Sequence, residues 1–276
     1  KELNWYSKKA KRFHTITAET NSNFKGTQVH NILSDEAGEV IWVLTEEGLN
    51  KIDASNLSVS FIPLSPLNQQ ELIETAGLFK DRKGRFLIGI AGGDLLVMNP
   101  DGSFVRIPQE EKVRINGFAQ KDNGEIWFIT QDQGAFVLNE ESLELTKPIL
   151  KDGKEISTNR LISILKDAEG NIWIGTENQG IDILYKDSGE LINYQYEPED
   201  NYSLANNSIH SIYQDISGRI WLGTFNQCVS YWDSYGVRFQ TYRHKNKEKS
   251  LSSNAVSIFE QGPTNSTIWV GTDGGG

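Results

Sequence analysis

Five stretches of the chain set an aspartate shortly before a glycine: DEAGEVIW (35–42), DRKGRFL (81–87), DNGEIW (122–127), DAEGNIW (167–173) and DISGRIW (215–221). A carboxylate that recurs in this way could act as a general acid or base. The same spacing serves a turn better. Asp can accept from backbone N–H groups just after it, and Gly supplies the positive φ of a tight hairpin. The four histidines, His14, His30, His210 and His244, lie far apart with no paired ligand spacing. No metal, cofactor or catalytic residue is therefore expected. Gly-Thr pairs such as that in GTENQG (175–180) make loop geometry rather than a phosphate cradle, because no helix follows to receive an anion.

Residues suited to binding rather than reaction gather in the connections: Asn159, Arg160, Glu177, Asn178, Asn206, His210, Phe225 and Asn226. Amides and charges offer planar, bidentate partners to sugar hydroxyls, and an aromatic ring offers a stacking surface. Asn159, Asn207 and Asn254 are better suited to capping the turn into the next strand than to holding a ligand.

The elements that position these residues repeat. The anchors Trp42, Leu87, Trp127, Trp173, Trp221 and Trp269 are spaced by 45, 40, 46, 48 and 48 residues. Around each, apolar residues alternate with period two, as in half-buried strands. Leu161, Ile164 and Leu165 precede one turn, Ile172 and Ile174 flank Trp173, and Ile181, Ile183 and Tyr185 follow Gly180. Aromatic segments RFHTI (12–16), INYQY (192–196) and RFQTY (238–242) supply a fourth strand. Four antiparallel strands in each of six units, with cores near 35–45, 81–91, 122–130, 167–176, 215–224 and 267–272, predict an all-β propeller with almost no helix. The Trp anchors are expected to be core, packed between neighbouring blades.

Charge narrows the function further. The net charge of -10 over 276 residues disfavours a polyphosphate partner, so no nucleic acid is expected. The basic run RHKNKEK (243–249) reads as a solvated loop, and the single cysteine, Cys228, permits no internal disulfide. No apolar run is long enough to span a bilayer.

The string SLANNSIHSIYQDISGRIWLGT (203–224), echoed by SLSSNAVSIFEQGPTNSTIWVGT (250–272), resembles the two-component regulator propeller repeat. Units four to six match best; unit two has Leu87 for Trp, unit three a shortened turn, and unit six Gly262 for Asp. The resemblance implies a periplasmic, non-enzymatic sensor region of a hybrid histidine kinase, often tuned to oligosaccharides. It also implies partners elsewhere in the same polypeptide, namely a further propeller and the kinase, with a homodimer as a further expectation. Residues 1–276 are expected to form a single propeller domain, a six-bladed ring or most of a seven-bladed one, within a longer sensor. A segment like a third and fourth strand (1–13) and a last unit that stops before its third strand suggest closure between the ends. The alternatives are a protein-interaction propeller and, behind it, a propeller lyase or a glycosidase, since DNGEIW also resembles the Asp-box turn of sialidases.

Overall fold

The computed structural model describes residues 3–7, 11–17, 19–35, 37–73, 75, 77–90, 93–109, 114–200, 202–225, 229–232, 239–242, 250–253, 255–262 and 267–273. Asn226, Cys228, Asn254, the run 243–249 and the end of the last unit lie outside them. The chain is all-β. Among the described residues, one α-helix, α1, is the five-residue Gln69–Ile73, and one 3-10 turn covers Lys151–Gly153.

Two compact units are present, Lys1–Ile115 and Asn116–Gly276. In the first, β1 (Leu3–Ser7) pairs with β2 (Arg12–Ile16) as an antiparallel hairpin. Two four-stranded antiparallel meanders follow. One runs β3 (Val29–Ser34), β4 (Val40–Thr45), β5 (Gly48–Asp53), β6 (Val59–Pro63), and the other β7 (Leu78–Lys80), β8 (Phe86–Gly89), β9 (Leu95–Met98), β10 (Phe104–Ile107). The third meander is β11 (Ile115–Gln120), β12 (Ile126–Thr130), β13 (Ala135–Leu138), β14 (Leu145–Thr146). In the second unit come β15 (Leu161–Lys166), β16 (Ile172–Thr176), β17 (Ile181–Leu184), β18 (Leu191–Tyr194), and then β19 (Ile209–Gln214), β20 (Ile220–Thr224), β21 (Val229–Trp232), β22 (Gln240–Tyr242). A last pair joins β23 (Val256–Gln261) to β24 (Ile268–Thr272). Each meander is the four-stranded blade that the repeat arithmetic predicts.

Within each unit the core lies between consecutive blades. Trp173 packs against Ile209, Ile220, Leu222 and Phe239, with Trp232 edge-on at 6.1 Å. Trp127 shares a cluster with Leu161, Ile172 and Ile174. In the first unit, Trp42 meets Phe86 at 4.5 Å beside Leu78 and Ile88. Trp269 departs from the expected pattern: it is 61% exposed, not core. Among the described residues, β24 pairs only with β23.

The aspartate turns do more than turn. Asp167 Oδ1 accepts the Asn171 N–H at 2.8 Å, while Oδ2 accepts the Trp173 indole N–H at 2.8 Å. Asp215 repeats this with the N–H groups of Ser217 and Arg219 and the Trp221 indole. Where Leu87 replaces Trp, Asp81 binds the Arg85 guanidinium instead, at 2.7 Å. The first blade has one extra residue between Gly38 and its Trp. That added residue parts the anchor from its aspartate, and among the described residues the buried Trp42 Nε1 has no hydrogen-bond partner.

The third blade corrects the sequence reading. Its turn is not shortened: Lys121 N–H donates to Glu125 O and Gly124 N–H to Lys121 O, as Asp167 and Gly170 do one blade later. Lys121 holds the aspartate's place, Glu125 accepts from the Trp127 indole at 3.4 Å, and Asp122 is displaced outward. There Asp122 binds Lys166 at 2.7 Å and Lys186 at 2.6 Å. These two hydrogen bonds hold its pKa down, at about 2.

A second repeated device fixes the segment that leads into three of the blades. A residue near the start of the third strand, the third of β5 and the second of β17 and β21, accepts a backbone N–H from four residues before the first strand. Asn50 accepts from Lys25, Asp182 from Ser157, and the Ser230 hydroxyl from Ala205. Asp182 is fully buried, with Ser157 Oγ and Asn193 Nδ2 as further donors. Burial without a cation pushes its pKa up despite those bonds.

Candidate functional site

In each blade the first strand begins, the second ends and the third begins at the same end of the sheet. The connections at that end in the second unit bring together most of the residues singled out from the sequence. Thr176 Oγ1 donates to Gly180 O at 2.8 Å and accepts the Gln179 N–H, closing the loop 176–180. Gly180 then donates its N–H to Asn207 O at 2.7 Å, tying this loop to the start of the following blade. Only glycine fits here: φ is +73°, and a Cβ would stand 2.0 Å from Tyr194 O. Gly134 repeats the tie one blade earlier, onto Asn159 O at 2.8 Å.

On this frame Arg160 is half exposed, and its Nε pairs with Glu177 at 2.9 Å and Asp132 at 3.6 Å. Beside Glu177 lies His210, stacked on Phe225 with centroids 5.0 Å apart and planes 22° from parallel. Burial lowers the His210 pKa, and the nearby Glu177 carboxylate opposes this without overcoming it. The imidazole is therefore neutral at pH 7 and presents both a donor and an acceptor nitrogen. Phe225 is 52% exposed, so one aromatic face remains open to a ligand.

A bulge places His210 there. The pairing of β19 with β20 slips between Ile209 and Ser211, leaving His210 as the extra residue. The same slip occurs at His30, Ile162 and Ser257 in the first strands of three other blades. His30 bonds Thr75 Oγ1 at 2.8 Å, and His14 stacks on Trp5 at 4.5 Å, each inside the first unit.

Asn178 sits in the left-handed region at φ +72° and exchanges hydrogen bonds with the Ser208 hydroxyl at 3.3 and 3.1 Å. Of the expected caps, Asn159 ties through its main-chain oxygen, and Asn207 Oδ1 accepts the Tyr196 N–H at 2.6 Å. It is Asn206 that makes the local turn, accepting the Ser208 N–H at 2.7 Å. Asn206 is thus held by the loop, while Arg160, Glu177, His210 and Phe225 form the accessible cluster. Asn226 lies outside the described residues.

Sequence reasoning missed Asp132, which occupies the loop position equivalent to Asn178, and the amide group of Asn193, Gln195 and Gln179. Asn193 Nδ2 donates to Gln179 O at 2.8 Å and Gln195 Nε2 to Asn193 Oδ1 at 2.8 Å. Asp132 was findable by superposing the loops. The amides were not, since their pairing depends on β17 and β18 register.

The first unit uses the equivalent loop differently. Glu46, in the place of Glu177, accepts Thr27 N–H at 2.6 Å, Thr27 Oγ1 at 2.7 Å and Gln28 N–H at 2.7 Å. Burial raises its pKa, but these bonds outweigh burial and lower it overall. Among the described residues, no three His, Cys, Asp or Glu side chains gather to hold a metal ion.

Residues 155–178 and 203–226 match the family described as two component regulator propeller, so these segments are regulator-propeller repeats. They carry Arg160, Glu177, Asn178, Asn206, His210 and Phe225. No curated protein matches the chain. Among solved structures, it is similar to the extracellular domain of a hybrid two-component system of B. thetaiotaomicron. There the identity is 20%, the TM-score 0.66, and 90% of this chain and 32% of that one are covered. It is also similar to PorZ, a bacterial surface component of the type-IX secretion system of Porphyromonas gingivalis (14% identity, TM-score 0.75, 99% and 42% covered). A third is virginiamycin B lyase from Staphylococcus aureus (13% identity, TM-score 0.65, 98% and 80% covered). The fold is thus that of β-propellers, and the chain spans about a third of the length of the B. thetaiotaomicron domain.

Proposed function

We propose that this chain is a ligand-sensing, extracytoplasmic part of a two-component regulator, taking an oligosaccharide or another small polar ligand on the face built by Arg160, Glu177, His210 and Phe225. The observation that carries the reading is that the two regulator-propeller repeats supply this one accessible cluster. The propeller fold shared with a two-component ectodomain is consistent with it. A guanidinium fixed by carboxylates, a neutral imidazole and an open aromatic face match the edge and face of a sugar ring. The occupied site is to be reported to a kinase elsewhere in the same polypeptide, with a further propeller and a homodimer as partners, in the periplasm.

Binding is expected without turnover. The recurrent carboxylates are held in structural bonds, Asp35, Asp167 and Asp215 by turn N–H groups, Asp81 by Arg85 and Asp122 by two lysines; Asp215, for one, has its pKa raised by burial but lowered overall by bonds from Ser217 and Trp221. Lyases share the fold, and product analysis separates that reading from this one. Calorimetry of the chain against a glycan panel tests the proposal. A dissociation constant of about 1 μM, roughly -8 kcal/mol, weakened by Phe225→Ala and Arg160→Ala at unchanged melting temperature, supports it. A glycan consumed during titration overturns it in favour of an enzyme, and tight binding of a protein with no glycan bound overturns it in favour of an interaction module.

A further inference from the structure

A separate cavity of about 300 Å³ opens in the second unit, away from the loop face. The turn at Lys121–Glu125, Gly170 and the start of the β17–β18 turn line it on one side, and the segment 146–151 on the other. In a chain of net charge -10, four of its lining side chains are lysines: Lys121, Lys147, Lys151 and Lys186. Glu125 is the one carboxylate among the described lining residues.

The ammonium groups of Lys151 and Lys186 are held but not saturated. Lys151 Nζ donates to Ser188 O at 3.2 Å, a neutral carbonyl, and among the described residues no carboxylate pairs with it. Lys186 is bonded to Asp122 and has Asp187 nearby; Lys121 is bonded to Glu125. Lys147 lies over the Phe136 ring at 3.6 Å and donates to Gln133 O. An ammonium has three donors, so Lys151 and Lys186 keep capacity for a further acceptor. The rest of the wall includes Thr146, Tyr185 and the apolar Val137, Pro148, Leu150 and Leu184, and Ile149 at the rim is 99% exposed.

Apolar walls under a rim of cations fit one chemical class. We propose that this groove is a second binding site, for a small organic anion whose carboxylate or phosphate meets Lys151 and Lys186 and whose apolar body lies against Val137, Pro148 and Leu184. Its volume admits a single ring with a charged substituent and excludes a folded partner. The inference is independent of what binds the loop face.

Phenylphosphonate is the probe, benzyl alcohol its neutral counterpart, and backbone amide shifts of the full chain the readout. Saturable shifts at residues 121–127, 146–151 and 184–189 are expected, with a dissociation constant of about 1 mM or tighter. Lys151→Gln and Lys186→Gln, with folding checked by circular dichroism, should each weaken it about tenfold, the loss of one charge-assisted hydrogen bond. Benzyl alcohol should bind at least about tenfold more weakly on the same ground. Absence of shifts in these segments, equal affinity for benzyl alcohol, or unchanged affinity in both folded variants would overturn the assignment.

Discussion

Replacing Trp173 by Phe and, separately, Trp42 by Phe isolates the Asp–indole bond. Both side chains are buried anchors of second strands, and both substitutions remove the same atoms. Trp173 Nε1 donates to the buried Asp167 carboxylate at 2.8 Å, whereas among the described residues Trp42 Nε1 donates to nothing. The cavity cost is common to the two. Only Trp173→Phe also removes a hydrogen bond to a charged group, which contributes about 1.5–3 kcal/mol. Asp167 keeps the Asn171 N–H and Nδ2 donors, both at 2.8 Å, so the lower end of that range applies. The Phe variant at 173 should therefore lose about 1–2 kcal/mol more than that at 42. Each anchor lies in a different compact unit, so the assay is native-state hydrogen exchange read on β16 and β4 amides, each against the parent. A Trp42→Phe cost equal to or above that of Trp173→Phe would refute the claim that the aspartate turn clamps the anchor.

Further outcomes follow from the same structure. Trp173→Ala should cost about 3–5 kcal/mol, while Trp269→Ala, at an exposed site, should stay within about 0.5 kcal/mol; urea unfolding compares them. Asp182→Asn should flatten the fall in melting temperature that the parent shows as pH rises above the ordinary carboxylate range. A carboxylate whose folded pKa is raised loses stability as pH rises through that value, and Asn50 already does the same work in the first blade. Asp122→Asn should lower the melting temperature at pH 7. Asp122 has its pKa lowered from 3.8 to about 2, so its stabilisation is present above 3.8 and fades as pH falls toward 2, where parent and variant should melt alike. Gly180→Ala should destabilise by more than about 1 kcal/mol, because the added Cβ meets Tyr194 O as well as an unfavourable φ.

The strands were legible because period-two alternation and the 40- to 48-residue spacing come from residues that must face a core. The turns were legible as turns but not in register. DNGEIW drew attention to Asp122, whereas counting back six residues from Trp127 reaches Lys121, as counting back six from Trp173 reaches Asp167. The same count finds the extra residue before Trp42. Trp269 was misread because composition cannot show what lies against a face. The entry pegs Asn50, Asp182 and Ser230 were hidden by their differing chemistry, although each lies near the start of its third strand. For the site, Arg160, Glu177, His210 and Phe225 were reachable by knowing which loops share an end of the sheet. The His210–Phe225 stack was not, since it depends on a bulge that no residue type announces.

Hydrogen exchange of the chain, free and with a glycan that binds it, read by mass spectrometry alongside the mass of the recovered glycan, tests the central claim most directly. The account predicts protection confined to residues 157–160, 176–180 and 205–210 and to Phe225, with the glycan recovered intact. Protection elsewhere with these loops unchanged, or a recovered glycan that has been cleaved or isomerised, would contradict it.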